Sequence, residues 1–282
     1  MDGALAASRD GGVTWQPLAP PTVAGVFAVA AQPGEEAAPI WAASGDGLWS
    51  LDLKQGQWQK VNTPGLPAGP LLAVEMAHGG AARLAYTAEG RLYAGDGGGT
   101  WQEITGPWQG QSLLRALPAQ DAAGEAAALA LTIQAKEPQA QAQGPYAIHV
   151  WLRRAGAWAN IAGLETEIPS MLALWPSPEG LWLATQHRVI ALRWDGRTQA
   201  WSASQHFFAP DEQITALTAS MDGSLWVATT RALYRSTDQG VIWRRAADLP
   251  ERQPVVYVRA VATRLDVVTL GGRVWHGEIM PA

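Results

Sequence analysis

Short apolar segments recur along the chain, separated by polar stretches that are rich in glycine and proline. An alanine followed by valine or leucine marks one such segment in each repeat, at Ala28, Ala73, Ala116, Ala173, Ala216 and Ala260. A second apolar run follows each of these, and in several repeats a third run comes next. Short strand-like runs between turn residues predict an all-β fold, with no convincing helix.

Tryptophan marks the same period. The tryptophans at 15, 58, 101, 158, 201 and 243 are separated by 43, 43, 57, 43 and 42 residues, so a single insertion interrupts an otherwise regular spacing. The marker alanines show the same interruption. A fixed period of this length with four strands in each unit predicts a β-propeller.

These tryptophans close a recurring segment, here called the box, in which tryptophan follows aspartate by five or six positions, except in a shortened copy without aspartate that runs from Arg153 to Trp158. The residues assigned to boxes are Ser8, Asp10, Gly12, Thr14, Trp15, Asp96, Gly98, Thr100, Trp101, Asp195, Trp201, Ser236, Asp238, Gly240 and Trp243. The aspartate is expected to accept hydrogen bonds from backbone N–H groups, glycine permits positive φ, and the tryptophan covers the turn. We interpret the boxes as structural turns between the third and fourth strands.

The box resembles the Asp-box (BNR) repeat, S/T-x-D-x-G-x-T-W, of sialidases, xyloglucan-cleaving glucanases, sortilin-type receptors and Ycf48-like photosystem II assembly factors. The resemblance covers nearly the whole chain and implies a β-propeller of that superfamily. The motif specifies a turn and carries no information about activity.

Six box tryptophans and six first-strand segments predict six four-stranded blades, with seven as the alternative. We expect one propeller domain, 1–282, with repeats near 25–62, 70–105, 112–162, 169–204 and 213–247 and a composite repeat of 255–282 with 1–18. In the composite repeat, an N-terminal strand at 13–18 would close the ring on the C-terminal blade, which removes a free sheet edge. One conflict is left, because residues 5–8 and 273–276 both align with a third strand.

Binding is expected on the face opposite the boxes. The candidate binding residues are Glu75, Trp108, Arg115, His187, Arg188, His206, Phe207, Phe208 and Arg259. An insertion at 133–146 would overhang this face, and the two adjacent phenylalanines would form a contact patch if exposed. Glu75 and an arginine are expected to form a structural ion pair. The alternative is a channel mouth whose arginines bind a carboxylate.

Sequence support for catalysis is weaker. Sialidases of the Asp-box group carry an Arg-Ile-Pro motif, whereas Glu167-Ile168-Pro169 lacks the arginine. Glycoside hydrolysis needs two carboxylates across a cleft. Glu75 is one candidate and Glu165, Glu167 or Asp211 another, but no spacing singles out a pair. The histidines are isolated, so no metal site is predicted, and no cofactor is implied.

Composition narrows the classes of partner. A net charge of −5 and a pI near 5.5 argue against nucleic acid. No cysteine is present, and no apolar run approaches the ~20 residues that cross a bilayer. No signal peptide is visible, so localisation stays open, and it would be extracytoplasmic if a leader had been removed. We expect a soluble, monomeric, non-catalytic scaffold for a protein or a carbohydrate-like ligand. The alternative is a secreted carbohydrate-active enzyme.

Overall fold

The computed structural model describes residues 5–8, 14–31, 39–76, 83–96, 99–120, 126–135, 146–166, 173–177, 180–195, 200–207, 211–220, 222–249, 254–261, 264–270 and 273–279. All regular structure in these residues is β-strand, arranged as a six-bladed β-propeller. The described strands form five four-stranded sheets, one three-stranded sheet and one two-stranded ribbon. The predicted fold class of six blades is therefore confirmed.

The chain divides into two compact units. The first comprises Met1–Gln134 with Ile148–Gly163, and the second comprises Ala135–Ala147 with Leu164–Ala282. The ribbon of the first unit pairs β1 (Leu5–Ala7) with β2 (Gln16–Leu18). Its first sheet contains β3 (Val26–Ala31), β4 (Ile40–Ser44), β5 (Gly47–Asp52) and β6 (Gln57–Lys60). Its second sheet contains β7 (Ala73–Met76), β8 (Arg83–Tyr86), β9 (Leu92–Gly95) and β10 (Trp101–Ile104).

The third sheet contains β11 (Ser112–Gln120), β12 (Ala126–Ala135), β13 (Tyr146–Arg154) and β14 (Ala157–Thr166). The insertion thus joins a second strand to a third strand, as the sequence predicts, although residues 136–145 lie outside the described part of the chain. First strands of consecutive sheets are neighbours in this unit, because β7 contacts both β3 and β11.

The second unit contains the other three sheets. The fourth sheet contains β15 (Ala173–Ser177), β16 (Gly180–Ala184), β17 (Arg188–Asp195) and β18 (Ala200–Phe207). The fifth contains β19 (Ile214–Ala219), β20 (Leu225–Thr229), β21 (Ala232–Ser236) and β22 (Arg244–Asp248). The sixth contains β23 (Val255–Val261), β24 (Arg264–Thr269) and β25 (Val274–Glu278). Here β19 contacts both β15 and β23.

In the four-stranded sheets the second strand is buried more fully than the fourth strand. Every residue of β20 is buried, whereas every residue of β22 is exposed. A strand that packs against neighbouring sheets on both faces needs a continuous buried run, which β4 and β20 have, whereas β24 alternates between buried and half-buried residues. One buried cluster of the first unit joins Tyr86 and Leu92 of the second sheet to Leu113 and Ala116 of the third.

The hydrogen bonding at the two ends of the chain differs from the composite sheet predicted from the sequence. Gln16–Leu18 pairs with Leu5–Ala7, and Val274–Glu278 pairs with Arg264–Thr269. Both segments that competed for the third-strand position are therefore strands, each in its own sheet. The physical reason is local, because a short box segment separates β1 from β2 and brings them together as a hairpin.

Candidate functional site

A buried hydroxyl group lies at or near the end of the second strand of each sheet. These residues have exposures of 0–5% and are Ser44, Thr87, Thr132, Thr185, Thr229 and Thr269. Apart from Thr132, which precedes the last three residues of β12, they stand where the chain turns towards the third strand. The Ser44 hydroxyl accepts from the amide of Asp46 across 3.4 Å, and that of Thr229 accepts from the amide of Ala232 across 3.0 Å. The second-to-third turns are thus fixed from inside.

Some of these hydroxyls also bind the connection that leads into a first strand. The Thr132 hydroxyl bonds to the amide oxygen of Gln111, which lies just before β11. In the fifth sheet the Thr229 hydroxyl donates to Glu212 Oε2 across 2.7 Å, and Glu212 lies just before β19. The second-to-third turns and the connections between sheets therefore meet at one end of a sheet.

Glu212 is the most strongly held carboxylate of this region. It is 7% exposed, and the Tyr234 hydroxyl donates to its two oxygens across 2.9 and 3.0 Å. His187 Nδ1 lies 3.1 Å from the backbone carbonyl oxygen of the same residue. A buried carboxylate is tolerated when hydrogen bonds satisfy it, and here those bonds bring three segments together.

Backbone bonds add to this connection. The amide of Ile214 donates to the carbonyl of Gln186 across 2.7 Å, and that of Thr230 donates to the carbonyl of Gln213 across 2.8 Å. We define the loop surface as residues 185–188, 211–213 and 229–232. Its segments are fixed relative to one another, so little order would have to be gained on binding.

Charges of both signs are exposed on the loop surface. Arg231 forms an ion pair with Asp211, and the two side chains are 56% and 59% exposed. An exposed ion pair of this kind contributes little to stability. Charged groups of a ligand can therefore replace this pairing. The Arg231 guanidinium can bind a ligand carboxylate through two parallel hydrogen bonds, and Asp211 can bind a ligand cation.

The first unit contains a separate charged cluster. Arg115 Nη2 lies 3.4 Å from Glu75 Oε1, so the predicted ion pair forms between the first strands β11 and β7. Burial raises the pKa of Glu75, opposed by the positive charge of Arg115. Burial and then the negative charge of Glu75 raise the pKa of Tyr86 to about 12. The opposite charges of Glu75 and Arg115 thus compensate each other within the first unit.

The described carboxylates considered for catalysis have partners. Glu75 is paired with Arg115 and Asp211 with Arg231. Glu165 also makes an interaction, and Glu167 lies outside the described residues. The part of the chain that the structure describes contains no cluster of three or more His, Asp or Glu side chains able to hold a metal ion.

Trp108 is not a surface residue, contrary to the prediction from sequence. It is 8% exposed and belongs to the core cluster of the second and third sheets. Its ring packs edge-on against Trp158, with centroids 5.0 Å apart and planes at 77°. A Cβ atom on Gly106 would lie 2.1 Å from the Trp108 ring, so this glycine allows the ring to fold back over its own loop.

His206 also lies elsewhere than predicted. Its Cδ2 atom lies 3.6 Å from the position that a Cβ on Gly240 would take, which places it beside a box turn. Its neighbour Phe207 ends β18, and Phe208 lies outside the described residues. Arg259 is exposed on β23 of the second unit. Of the predicted binding residues, the structure brings only His187 and Arg188 to the loop surface.

The boxes that end at Trp101 and Trp243 join third to fourth strands, as the sequence predicts, whereas the first box lies between the two strands of the ribbon. Asp238 Oδ1 accepts hydrogen bonds from the Ser236 hydroxyl across 2.8 Å and from the Ile242 amide across 2.9 Å. These bonds, the one from Ile242 first, lower the pKa of Asp238. Asp96 accepts from the Thr100 amide across 3.1 Å. Asp10, Gly12 and Gly98 lie outside the described residues.

Glu212 and the buried hydroxyls are not among the binding residues predicted from the sequence. Glu212 stands in the polar run 211–213, where nothing in the local pattern distinguishes it from its neighbours. The hydroxyls do repeat with the period of the strands, so a search for polar as well as apolar repeats would have found them. Their period is the available signal for the loop surface.

Comparison with known proteins supports the fold. Neither a protein-family model nor a curated protein matches the chain. The solved structure of YCF48 bound to D1 peptide is similar with a TM-score of 0.67 and 17% identity, over 99% of this chain and 88% of that one. YCF48 from Cyanidioschyzon merolae gives a TM-score of 0.63 and 15% identity, over 96% and 87%.

A third similar structure is a streptogramin B lyase, with a TM-score of 0.60 and 13% identity over 98% of this chain and 84% of that chain. Among the described residues, no helix combines the length and apolar character needed to cross a bilayer. At these identities the likeness concerns the fold alone. The chain therefore has the β-propeller fold that these structures share.

Proposed function

We propose that this chain is a non-catalytic propeller of the Asp-box group that binds a segment of a partner protein through its loop surface. The observation that supports this proposal is the hydrogen-bond network of Glu212, which fixes the three segments of the loop surface in the absence of a ligand. A surface ordered in advance loses less conformational entropy on binding. Proteins usually bind their partners through loops that a rigid scaffold holds in place, and the loop surface is of this kind.

The exposed Asp211–Arg231 pair suits a peptide segment that carries both charges. Charged groups of opposite sign on the two partners favour encounter and fix register. One of the similar solved structures is YCF48 bound to D1 peptide, so a propeller of this shape can hold a peptide. That likeness supports the class of ligand and leaves its sequence open.

An array of twelve-residue peptides with varied charge tests the proposal, followed by fluorescence anisotropy on those that bind. Arg231→Glu is expected to weaken binding of those peptides at least tenfold. Arg244→Glu makes the same change at the box end of the same sheet and is expected to change binding less than twofold. Equal effects of the two substitutions, or no bound peptide, would contradict the proposal.

The enzyme alternative is tested with the same protein preparation. A panel of aryl glycosides and polysaccharides is expected to give no turnover above the buffer control. Turnover that disappears in Glu75→Gln would replace the binding proposal with glycoside hydrolysis.

A further inference from the structure

The sixth sheet differs from the other five. Each four-stranded sheet has a box tryptophan in its fourth strand or immediately before it, and these are Trp58, Trp101, Trp158, Trp201 and Trp243. Among the described strands, β25 has a paired neighbour only in β24. Its residues 275–278 are exposed, and Trp275 is 38% accessible. The backbone of an edge strand offers unpaired N–H and C=O groups to another strand.

A cavity of about 220 Å³ lies beside this edge, between the fifth and sixth sheets. Trp226, Leu233 and Leu249 line it from the fifth sheet and the segment that follows that sheet. Leu265, Val267 and Trp275 line it from the sixth. An apolar cavity of about 150 Å³ already holds a benzene ring, so this one has room for a bicyclic aromatic side chain.

The preceding pair of sheets shows what fills the equivalent position. Trp182 and Trp226 occupy the same place in the second strands β16 and β20. Trp182 is covered by the box of the next sheet, because a Cβ on Gly240 would lie 2.9 Å from its ring. One sheet later, Trp226 lines the cavity instead. The cavity thus lies where the box turn and tryptophan of a fourth strand would pack.

Trp226 supplies an independent observation. Its side chain is 5% exposed, and its indole Nε1 has no hydrogen-bond acceptor among the described residues. A buried donor without an acceptor is unfavourable. A strand entering the cavity brings backbone carbonyl groups, which are acceptors.

We infer that the sixth sheet accepts an extended segment of a partner protein, which pairs with β25 and places a tryptophan in the cavity beside Trp226. Addition of a strand to a sheet edge takes its affinity from main-chain bonds and its specificity from side-chain pockets. The exposed Glu278 also lines the cavity, so a lysine or arginine next to the tryptophan is favoured. This surface is separate from the loop surface.

The chain itself provides the probe. A fluorescein-labelled peptide of residues 241–248 carries Trp243 followed by two arginines, as a fourth strand should. Its binding to the full chain is measured by anisotropy, beside the same peptide with alanine in place of the tryptophan. The alanine peptide is expected to bind at least tenfold more weakly.

Two variants locate the binding. Ala247→Trp fills the cavity from its wall and is expected to weaken peptide binding at least tenfold. Ala203→Trp places the same side chain on another exposed fourth strand, β18, and is expected to leave binding unchanged. Should Ala247→Trp fail to fold, Trp226→Phe removes the indole N–H with little change of shape and is also expected to weaken binding.

Three results would overturn the inference. Equal affinities of the two peptides would show that the cavity takes no tryptophan. If the peptide bound the Trp15→Ala variant but not the wild-type chain, the chain's own N-terminal strand would occupy the edge of β25. A dimer in sedimentation that Ala247→Trp dissociates would show that a second copy occupies it.

Discussion

The indole N–H of Trp158 donates a hydrogen bond to the backbone carbonyl of Thr105 across 3.1 Å. Thr105 directly follows the fourth strand of the second sheet, and Trp158 lies in the fourth strand of the third. The indole of Trp58 makes the same kind of bond, 3.0 Å long, to the carbonyl of Ala19 just after β2. These two box tryptophans therefore attach their sheets to the segment that follows the last strand of the preceding sheet or ribbon.

Trp158→Phe tests this attachment. Phenylalanine retains an aromatic ring against Trp108 but has no N–H for Thr105, so we expect a loss of about 1 kcal/mol in the free energy of unfolding. Trp58→Phe removes the matching bond to Ala19 and is expected to cost a similar amount. Urea denaturation measures both. Unchanged stability in the two variants would show that the indole bonds contribute nothing.

Gly240→Ala tests the close packing of a box turn against the preceding sheet. Gly240 has φ of +79°, and its Cβ would meet the Trp182 ring. Gly223 has φ of +80° with nothing within 4 Å of its Cβ, so Gly223→Ala measures the backbone cost alone. We expect about 1 kcal/mol for Gly223→Ala and at least about 1 kcal/mol more for Gly240→Ala. Equal losses in urea denaturation would exclude a steric contribution.

The hydrogen bonding of the Asp46 carboxylate predicts that the protein becomes less stable in acid. Hydrogen bonds from Ser44 and then Trp49 lower the pKa of this carboxyl from 3.8 to about 2. A lowered pKa in the folded state gives stability that is complete above pH 3.8 and disappears as the pH falls towards 2. The difference in unfolding free energy between wild type and Asp46→Asn should therefore shrink over that range.

Ser44→Ala is the control for this titration. It removes the bond that lowers the pKa of Asp46 most, so the acid-dependent loss should become smaller and complete at a higher pH. Guanidinium denaturation at a series of pH values measures both variants. A wild-type curve that stays flat between pH 4 and 2 would contradict the assignment.

Glu212→Ala tests the order of the loop surface. The substitution removes the acceptor of the Thr229 and Tyr234 hydroxyls, and we expect a loss of about 2 kcal/mol. Amides of Ile214 and Thr230 should exchange faster with deuterium, because the segments they join are no longer held. Glu212→Gln keeps one acceptor and should show a smaller change. Unaltered exchange in Glu212→Ala would show that the carboxylate does not order these segments.

The parts of the fold that depend on local sequence were predictable. A box contains its own aspartate, glycine and tryptophan, so its identity as a turn needs no distant information, and the contacts of Asp96 and Asp238 agree with that interpretation. The period of the first strands led directly to the number of sheets.

Long-range packing limited the prediction of the site. The burial of Trp108 depends on Trp158, which is far along the chain, and on a glycine that makes room for the ring. His206 meets Gly240 of the next sheet for the same kind of reason. Glu212 has its partners on two later strands, β20 and β21, and a single acidic residue shows no periodic signal.

The tryptophan bonds between neighbouring sheets have a consequence for how stability is distributed. Each such bond joins a sheet only to the one before it. The stability of a unit is then the sum of a contribution from each sheet and a contribution from each contact between neighbouring sheets. Loss of one bond between sheets, such as the Trp158–Thr105 bond, should then destabilise the two sheets that it joins before the others. Partial unfolding would spread along the chain from that boundary instead of appearing everywhere at once.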